Sequence, residues 1–208
     1  MEKNIRKNIE LGVLFGLICA VMLSFARFDA RCDELRNGVL RLHILANSDS
    51  EEDQALKLKV RDRILEVSSK SLSKANDINE AIDIAKTQIE SITEEANKVI
   101  TSEGYDYKVT ANIEENFFSN RVYDDFTLPA GVYNSLTVRI GKAQGHNWWC
   151  VVFPGVCLPA AEKGELKKSV SRQSAKLAEC AEGYKVRFKT VEIYEKIKNK
   201  MQKNKKST

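Results

Sequence analysis

The feature that most constrains this 208-residue chain is a strand pattern that runs through a polar turn directly into a helix pattern, over residues 40–62. Its first part alternates apolar and polar residues, which predicts a strand with one buried face. Ser50 is followed three residues later by Asp53, as at the start of a capped helix. The apolar positions are Leu40, Leu42 and Ile44 in the strand, and Leu56, Val60, Ile64 and Val67 in the helix.

Polar side chains at the junction of this strand and helix form the first candidate site. Free backbone N–H groups at a helix start attract anions, and short polar side chains there can meet a ligand or a partner. The same residues are also ordinary turn and capping residues, each cap being worth about 1 kcal/mol, so a structural role is the alternative. The candidates are His43, Asn47, Ser48, Asp49 and Asp53.

Three further segments have helical spacing. Apolar residues recur in steps of three and four over 78–99, which predicts one long helix that ends at Gly104. Residues 162–181 also fit a helical face, and residues 191–202 predict a terminal helix. These helices need a sheet to pack against.

The remaining patterns supply that sheet. Alternation predicts strands at 107–113 and 136–140, and a further short strand at 184–188. The glycine-punctuated connection 141–145 predicts an antiparallel hairpin between the second strand and a returning strand at 148–153. We therefore expect an α+β fold, in which helices pack on a mostly antiparallel sheet and an N-terminal signal or anchor helix precedes it.

The N-terminus carries a largely apolar run, residues 11–26, with three basic residues before it. This pattern predicts an export signal that leaves the rest of the chain outside the cytoplasm. A helix of this length extends about 24 Å, short of the roughly 30 Å hydrocarbon core. Ser24 and Ala26 have the spacing that a signal peptidase accepts, so we expect cleavage after Ala26, with an uncleaved membrane anchor as the alternative.

The predicted organisation has four parts: a signal peptide or anchor at 1–26, a linker at 27–37, an extracytoplasmic domain at 38–190 and a basic helix or tail at 191–208. The formal net charge is +4, and much of it lies in the tail. The near-neutral domain argues against nucleic acid as a partner. The tail is either a solvated helix end or a contact with anionic lipid headgroups.

Cysteine usage agrees with export. A disulfide between Cys150 and Cys157 is plausible because the intervening residues can double back, and two reduced, buried thiols are the alternative. A metal site is not expected, because the cysteines lack paired short spacings and His43 and His146 are the two histidines. No cofactor is implied.

The adjacent residues Trp148 and Trp149 form a second candidate site. Neighbours in a strand point to opposite faces, so one of them can be a surface anchor for a partner. Tyr133 and Asn134, on the predicted neighbouring strand, could add polar contacts at its rim. Burial of both tryptophans under helices is the alternative.

Two blocks carry a family resemblance: residues 40–62, and residues 127–141 followed by 146–157. They resemble the stage II sporulation protein R family of endospore-forming bacteria, over roughly residues 38–190. The resemblance implies a signalling protein that the forespore exports into the space between the septal membranes. It also implies a partner, a membrane-bound aspartic protease of the mother cell that is thereby activated to process the early mother-cell sigma factor precursor.

The alternative function is an exported septal cell-wall hydrolase or a wall-binding protein. The motifs of several hydrolase classes are missing: the chain has no Gly-x-Ser-x-Gly and no His-Glu-x-x-His. Cys150 and His146 could form a thiol and base pair, but such pairs need an orienting third group. We therefore expect no catalytic residue and no enzymatic activity.

Overall fold

The computed structural model describes residues 2–123, 126–155, 166 and 169–206, and places helices on both faces of a four-stranded sheet. A separate pair of two-residue strands lies beside it. The elements in chain order are α1 (Glu2–Asn37), β1 (Leu40–Leu45), α2 (Glu51–Leu72), α3 (Ile78–Ser102), β2 (Val109–Phe118), β3 (Arg121–Val122), β4 (Thr127–Leu128), β5 (Gly131–Ile140), β6 (Asn147–Phe153), α4 (Arg172–Glu179), a 3-10 turn (Ala181–Tyr184) and α5 (Lys185–Lys206).

The main sheet has the strand order β2-β5-β1-β6. Strand β1 pairs in parallel with β5 and antiparallel with β6, whereas β2 pairs antiparallel with β5. The predicted α+β class with a mostly antiparallel sheet is confirmed. Strand β1 is central and is covered on both faces, which is why the polar positions of its sequence are also largely buried.

The predicted hairpin between β5 and β6 is wrong, because β1 lies between these two strands. The short connection instead crosses the end of β1. There the backbone N–H groups of Gln144 and Gly145 donate to the carbonyls of Asn47, at 3.2 Å, and Ala46, at 2.9 Å. Strands two positions apart are separated by only about 10 Å, a gap that a few residues can bridge.

Helices α2 and α3 cover one face of the sheet and confirm the two predicted helices. They pack on the apolar alternation of β1, Leu40, Leu42 and Ile44, to form the first core. The hydroxyl of Ser50 caps α2 by accepting the N–H of Asp53 at 3.2 Å. The face of α3 that packs inward carries Ala81, Ala85, Ile92, Ala96 and Ile100.

The second core lies on the opposite face, under α4, α5 and the last turns of α1. Phe28, Cys32 and Leu35 are buried there, so the segment predicted as a linker is helical and packs on the domain. Helix α4 begins at Arg172, after its cap Ser171, which bears out only the second half of the predicted 162–181 helix. Of the first half, residues 162–165, 167 and 168 lie outside the described residues.

The strand predicted at 184–188 is also wrong, because this segment is the 3-10 turn and the start of α5. Alternation and helical spacing both fit the segment, since Tyr184, Phe188 and Val191 are spaced by four and three. In a strand, Val186 would lie on the same buried face as Tyr184 and Phe188, but it is 81% exposed, as the helical spacing predicts. Phe188 packs instead against Phe28, with ring centroids 5.3 Å apart.

Helix α1 has two different parts. Its first part exposes the large apolar side chains of residues 5–23, and it is long and apolar enough to cross a membrane, as a signal peptide or an anchor would be. Its last part is fixed to the domain by Arg36, whose Nη1 donates to the Ala130 carbonyl at 2.9 Å. The Arg36 guanidinium also pairs with Asp33 at 2.7 Å and lies 3.8 Å from Glu195 of α5.

Candidate functional site

The structure brings three of the predicted site residues together at the start of α2. The carboxylate of Asp53, 4% exposed, accepts hydrogen bonds from the Ser48 hydroxyl at 2.5 Å and the Asn47 amide at 2.8 Å. Burial alone would raise the pKa of Asp53, but these bonds and one from Tyr107 hold it below its ordinary value. The helix start is therefore occupied by the chain's own carboxylate, which points to a structural role.

The same turn holds the connection between β5 and β6. The side-chain oxygen of Asn47 accepts the backbone N–H of Lys142 at 3.0 Å. A Cβ atom on Gly145 would lie 2.1 Å from the carbonyl oxygen of Ser48, and one on Gly141 would lie 2.4 Å from the Asn47 side chain. Both glycines are required by this close approach of two chain segments.

Among the predicted site residues of this turn, Asp49 is the one that is exposed. Its carboxylate accepts the backbone N–H of His146 at 2.5 Å and also bonds the Nδ1 of that imidazole, and their side chains are 55% and 78% exposed. His146 is not paired with Cys150, which is buried and disulfide-bonded. The pairing of Cys150 with Cys157 stays a prediction, because Cys157 lies outside the described residues.

The two tryptophans point to opposite faces of the sheet, as predicted. Trp148 packs on the first core, with the Arg61 guanidinium 4.5 Å above its ring. Trp149 packs on the second core, 6.3 Å from the ring of His43 and 5.5 Å from that of Phe118. Each tryptophan is half-buried.

Tyr133 and Asn134 do not lie beside Trp149 on a neighbouring strand, because β1 separates β5 from β6. Tyr133 is buried in the second core, and its hydroxyl donates to the Pro129 carbonyl at 2.6 Å. Asn134 follows it in β5, so its side chain projects toward the other face. The predicted group of residues is therefore divided between the two faces of the sheet.

Sequence reasoning missed a polar cluster around Arg41, on the second face of β1. Arg41 is 0% exposed, and its guanidinium carbon lies 4.0 Å from the ring centre of Phe118 and 5.0 Å from that of Tyr133. Its Nη2 donates to the Tyr123 hydroxyl at 2.9 Å. The sequence did contain a signal for this cluster: Arg41 lies inside a short apolar strand that leads into a capped helix. Such a strand is often central in a sheet and buried on both faces, which would bury the arginine as well.

His43 lies two residues further along the same face. Its Nε2 is 2.7 Å from the side-chain oxygen of Asn147, and burial lowers the pKa of the imidazole. Toward the sheet edge, Arg139 and Glu114 form a two-pronged ion pair with both distances at 2.7 Å. This face thus carries a row of polar side chains from Arg41 to the solvent.

The comparisons with known proteins agree on one family. A family model described as Stage II sporulation protein R matches residues 36–163. Stage II sporulation protein R of Bacillus subtilis (strain 168) is 31% identical over 136 residues, which make up 65% of this chain and 61% of that protein. The match thus spans less than two thirds of that relative's length, and no solved structure matches the chain. Because the family model covers more than half of its residues, the chain belongs to the stage II sporulation protein R family.

Proposed function

We propose that this chain is an exported sporulation signal that activates a membrane-bound aspartic protease in the mother cell. The activated protease then processes the precursor of the early mother-cell sigma factor. The forespore exports the folded domain into the septal intermembrane space, where it acts by binding and not by chemistry of its own. Membership of the stage II sporulation protein R family supports this proposal.

The structural observation that carries the proposal is the division of α1 into an exposed apolar part and a packed part. A row of exposed large apolar side chains over residues 5–23 is costly in water and is covered when the helix enters a bilayer. Phe28, Cys32 and Leu35 belong to the core of the domain. Cleavage after Ala26 would therefore remove Phe25, which packs at the edge of this core, but would leave its buried residues in place. An uncleaved helix would hold the domain at the membrane surface.

The surface where α1 leaves the domain fits contact with anionic lipid. Arg27, Arg31 and Arg187 line a cavity of about 400 Å³ there, beside Tyr184. Basic side chains near a bilayer gain about 1 kcal/mol each from anionic headgroups. The lysines of α5 contribute less, since several of them pair with Glu192 and Glu195.

Binding activates a partner only through a difference in affinity between the partner's inactive and active states. Asp49 is the candidate contact on the predicted site that is both charged and accessible, and His146 extends its surface. Replacing Asp49 with Ala should abolish signalling while the fold stays intact. Replacing Asp53 should act by destabilising the domain, because its carboxylate holds the turn together.

The test is co-expression of this chain with the membrane protease and the sigma factor precursor in a bacterium that lacks its own copy. Processing should require residues 1–26, and should be lost in the Asp49→Ala variant at a protein level equal to the wild type. Processing that is equally efficient without residues 1–26 would contradict the proposal. Release of muropeptides from peptidoglycan by the purified chain would favour the wall-hydrolase alternative instead.

A further inference from the structure

Arg41 is a buried cation without a counter-charge among the described residues. Its Nη2 has the neutral Tyr123 hydroxyl as a partner, whereas its Nε and Nη1 have no partner in the part of the chain that the structure describes. A buried guanidinium without an anion costs several kcal/mol, and native structures rarely leave such donors unpaired. This arrangement points to a missing acceptor.

Arg36 gives an internal comparison. It is also nearly fully buried, but its guanidinium reaches two aspartates at 2.7 and 3.2 Å, a glutamate at 3.8 Å and a backbone carbonyl at 2.9 Å. The fold therefore neutralises one buried arginine with its own carboxylates. It does not do so for Arg41 with any residue that the structure describes.

The described surroundings of Arg41 contain a further buried donor without a partner. Among the described residues the buried Nε1 of Trp149 has no partner, and its ring contacts the Phe118 ring on which Arg41 stacks. The His43 ring also contacts Phe118, but its Nε2 donates to the Asn147 oxygen, so its Nδ1 is an acceptor and not a donor. The nearby hydroxyls of Ser135 and Thr137 already bond each other and the Asn116 amide. The unpartnered donors of Arg41 and Trp149 are complementary to an anion.

We propose that Arg41 is the receptor for a carboxylate that comes from outside the chain. Carboxylate suits the site because the guanidinium stacks on aromatic rings and keeps its in-plane N–H groups for a planar acceptor. His43 lies between Arg41 and the exposed Asn147, so a ligand that entered from this edge would open the 2.7 Å hydrogen bond between His43 and Asn147. This assignment rests on the proposed function: the carboxylate that binds Arg41 belongs to an acidic side chain of the partner protease. A free small carboxylate is the other source, and the test distinguishes the two.

The test follows the Nε–H resonances of the full chain, labelled with 15N-arginine in detergent micelles. The probes are sodium acetate and the peptide acetyl-Gly-Asp-Gly-amide, with sodium chloride at equal ionic strength as the control. One resonance should shift saturably with the probes, and the Arg41→Met variant should lack it. The Arg41→Lys variant has no Nε–H at this position, so its binding is measured by titration calorimetry beside the wild type, and it should bind at least about tenfold more weakly because it loses the planar donors. The Arg139→Met variant, which removes an arginine of the same face, should bind as the wild type does.

Three results would overturn the proposal. The first is the absence of a saturable shift in a wild-type chain that circular dichroism shows to be folded. The second is a stronger response to inorganic phosphate than to acetate. The third is an Arg41 resonance whose position changes in an Asp124→Asn, Asp125→Asn double variant without added ligand, which would mean that the chain supplies the anion itself.

The source of the carboxylate is tested in the processing assay. If the partner supplies it, the Arg41→Met variant should be exported and folded but should lose processing at least about tenfold, and the peptide should bind more tightly than acetate. Normal processing by a variant that binds no carboxylate would overturn the assignment to the partner. That outcome differs from failure of the proposed function, in which the wild-type chain itself would not support processing.

Discussion

Removal of the Asp53 carboxylate should be among the most damaging single changes at the start of α2. In an Asp53→Ala variant, the Ser48 hydroxyl and the Asn47 amide lose an acceptor at 2.5 and 2.8 Å, and the Tyr107 hydroxyl loses its bond as well. Hydrogen bonds to a charged acceptor are worth about 1.5–3 kcal/mol each. The Tyr107 hydroxyl can bond water instead, so only the bonds of Ser48 and Asn47 count toward the cost. We expect the free energy of unfolding to fall by about 3–5 kcal/mol.

Urea unfolding of the full chain in a mild detergent, followed by circular dichroism, measures this loss. The control is Glu52→Ala, which removes an exposed carboxylate from the same helical turn and should cost about 0.5 kcal/mol. The folded pKa of Asp53 is lowered, so its stabilisation is present above the ordinary Asp pKa of about 3.9 and is lost as the pH falls through the folded value. A cost no larger than that of Glu52→Ala, or one that persists unchanged in acid, would refute the reasoning.

Three further predictions concern the stability of the folded domain. Gly145→Ala should cost more than about 2 kcal/mol in urea unfolding because its Cβ would lie 2.1 Å from a backbone oxygen, whereas Gly183→Ala, with open space around it, should be nearly neutral. Arg36→Met should cost about 2–4 kcal/mol because the buried Ala130 carbonyl loses a hydrogen bond from a charged donor and Asp29 and Asp33 lose their ion pairs, while Arg6→Met on the exposed part of α1 should change the unfolding free energy by less than about 0.5 kcal/mol. The folded pKa of His43 is lowered, so between this value and the ordinary His pKa of about 6.5 the unfolded state binds more protons than the folded state. The free energy of unfolding of the wild type should therefore fall as the pH drops from about 6.5 through the folded pKa. A His43→Gln variant measured over the same pH range should lack the part of this fall that comes from His43.

The local elements were largely predictable from the sequence. The strand at Leu40–Leu45 and the helices Glu51–Leu72 and Ile78–Ser102 were readable because apolar spacing and capping residues agree over many positions. The segment 184–188 was misread because alternation and helical spacing coincide over so short a stretch. The segment is helical in the structure, where Phe188 packs on Phe28 of a distant segment, a contact that local spacing does not reveal.

The candidate site was only partly predictable. Asn47, Ser48 and Asp53 were found because they lie within one turn of chain, and their contacts are local. Arg41, Phe118 and Tyr133 are distant in sequence and meet only because β1 is inserted between β5 and β6. The hairpin prediction failed for the same reason, since a short connection does not reveal that a third strand lies beneath it.

By itself, the sequence determined the apolar N-terminal helix, most of the helix and strand types and the family, because each of these depends on short-range pattern or on contiguous motifs. Only the tertiary structure decided which strand is central, and hence that Arg41 is buried whereas Asp49 stays exposed. Burial depends on what packs over a residue from other parts of the chain, and local spacing carries no information about those partners.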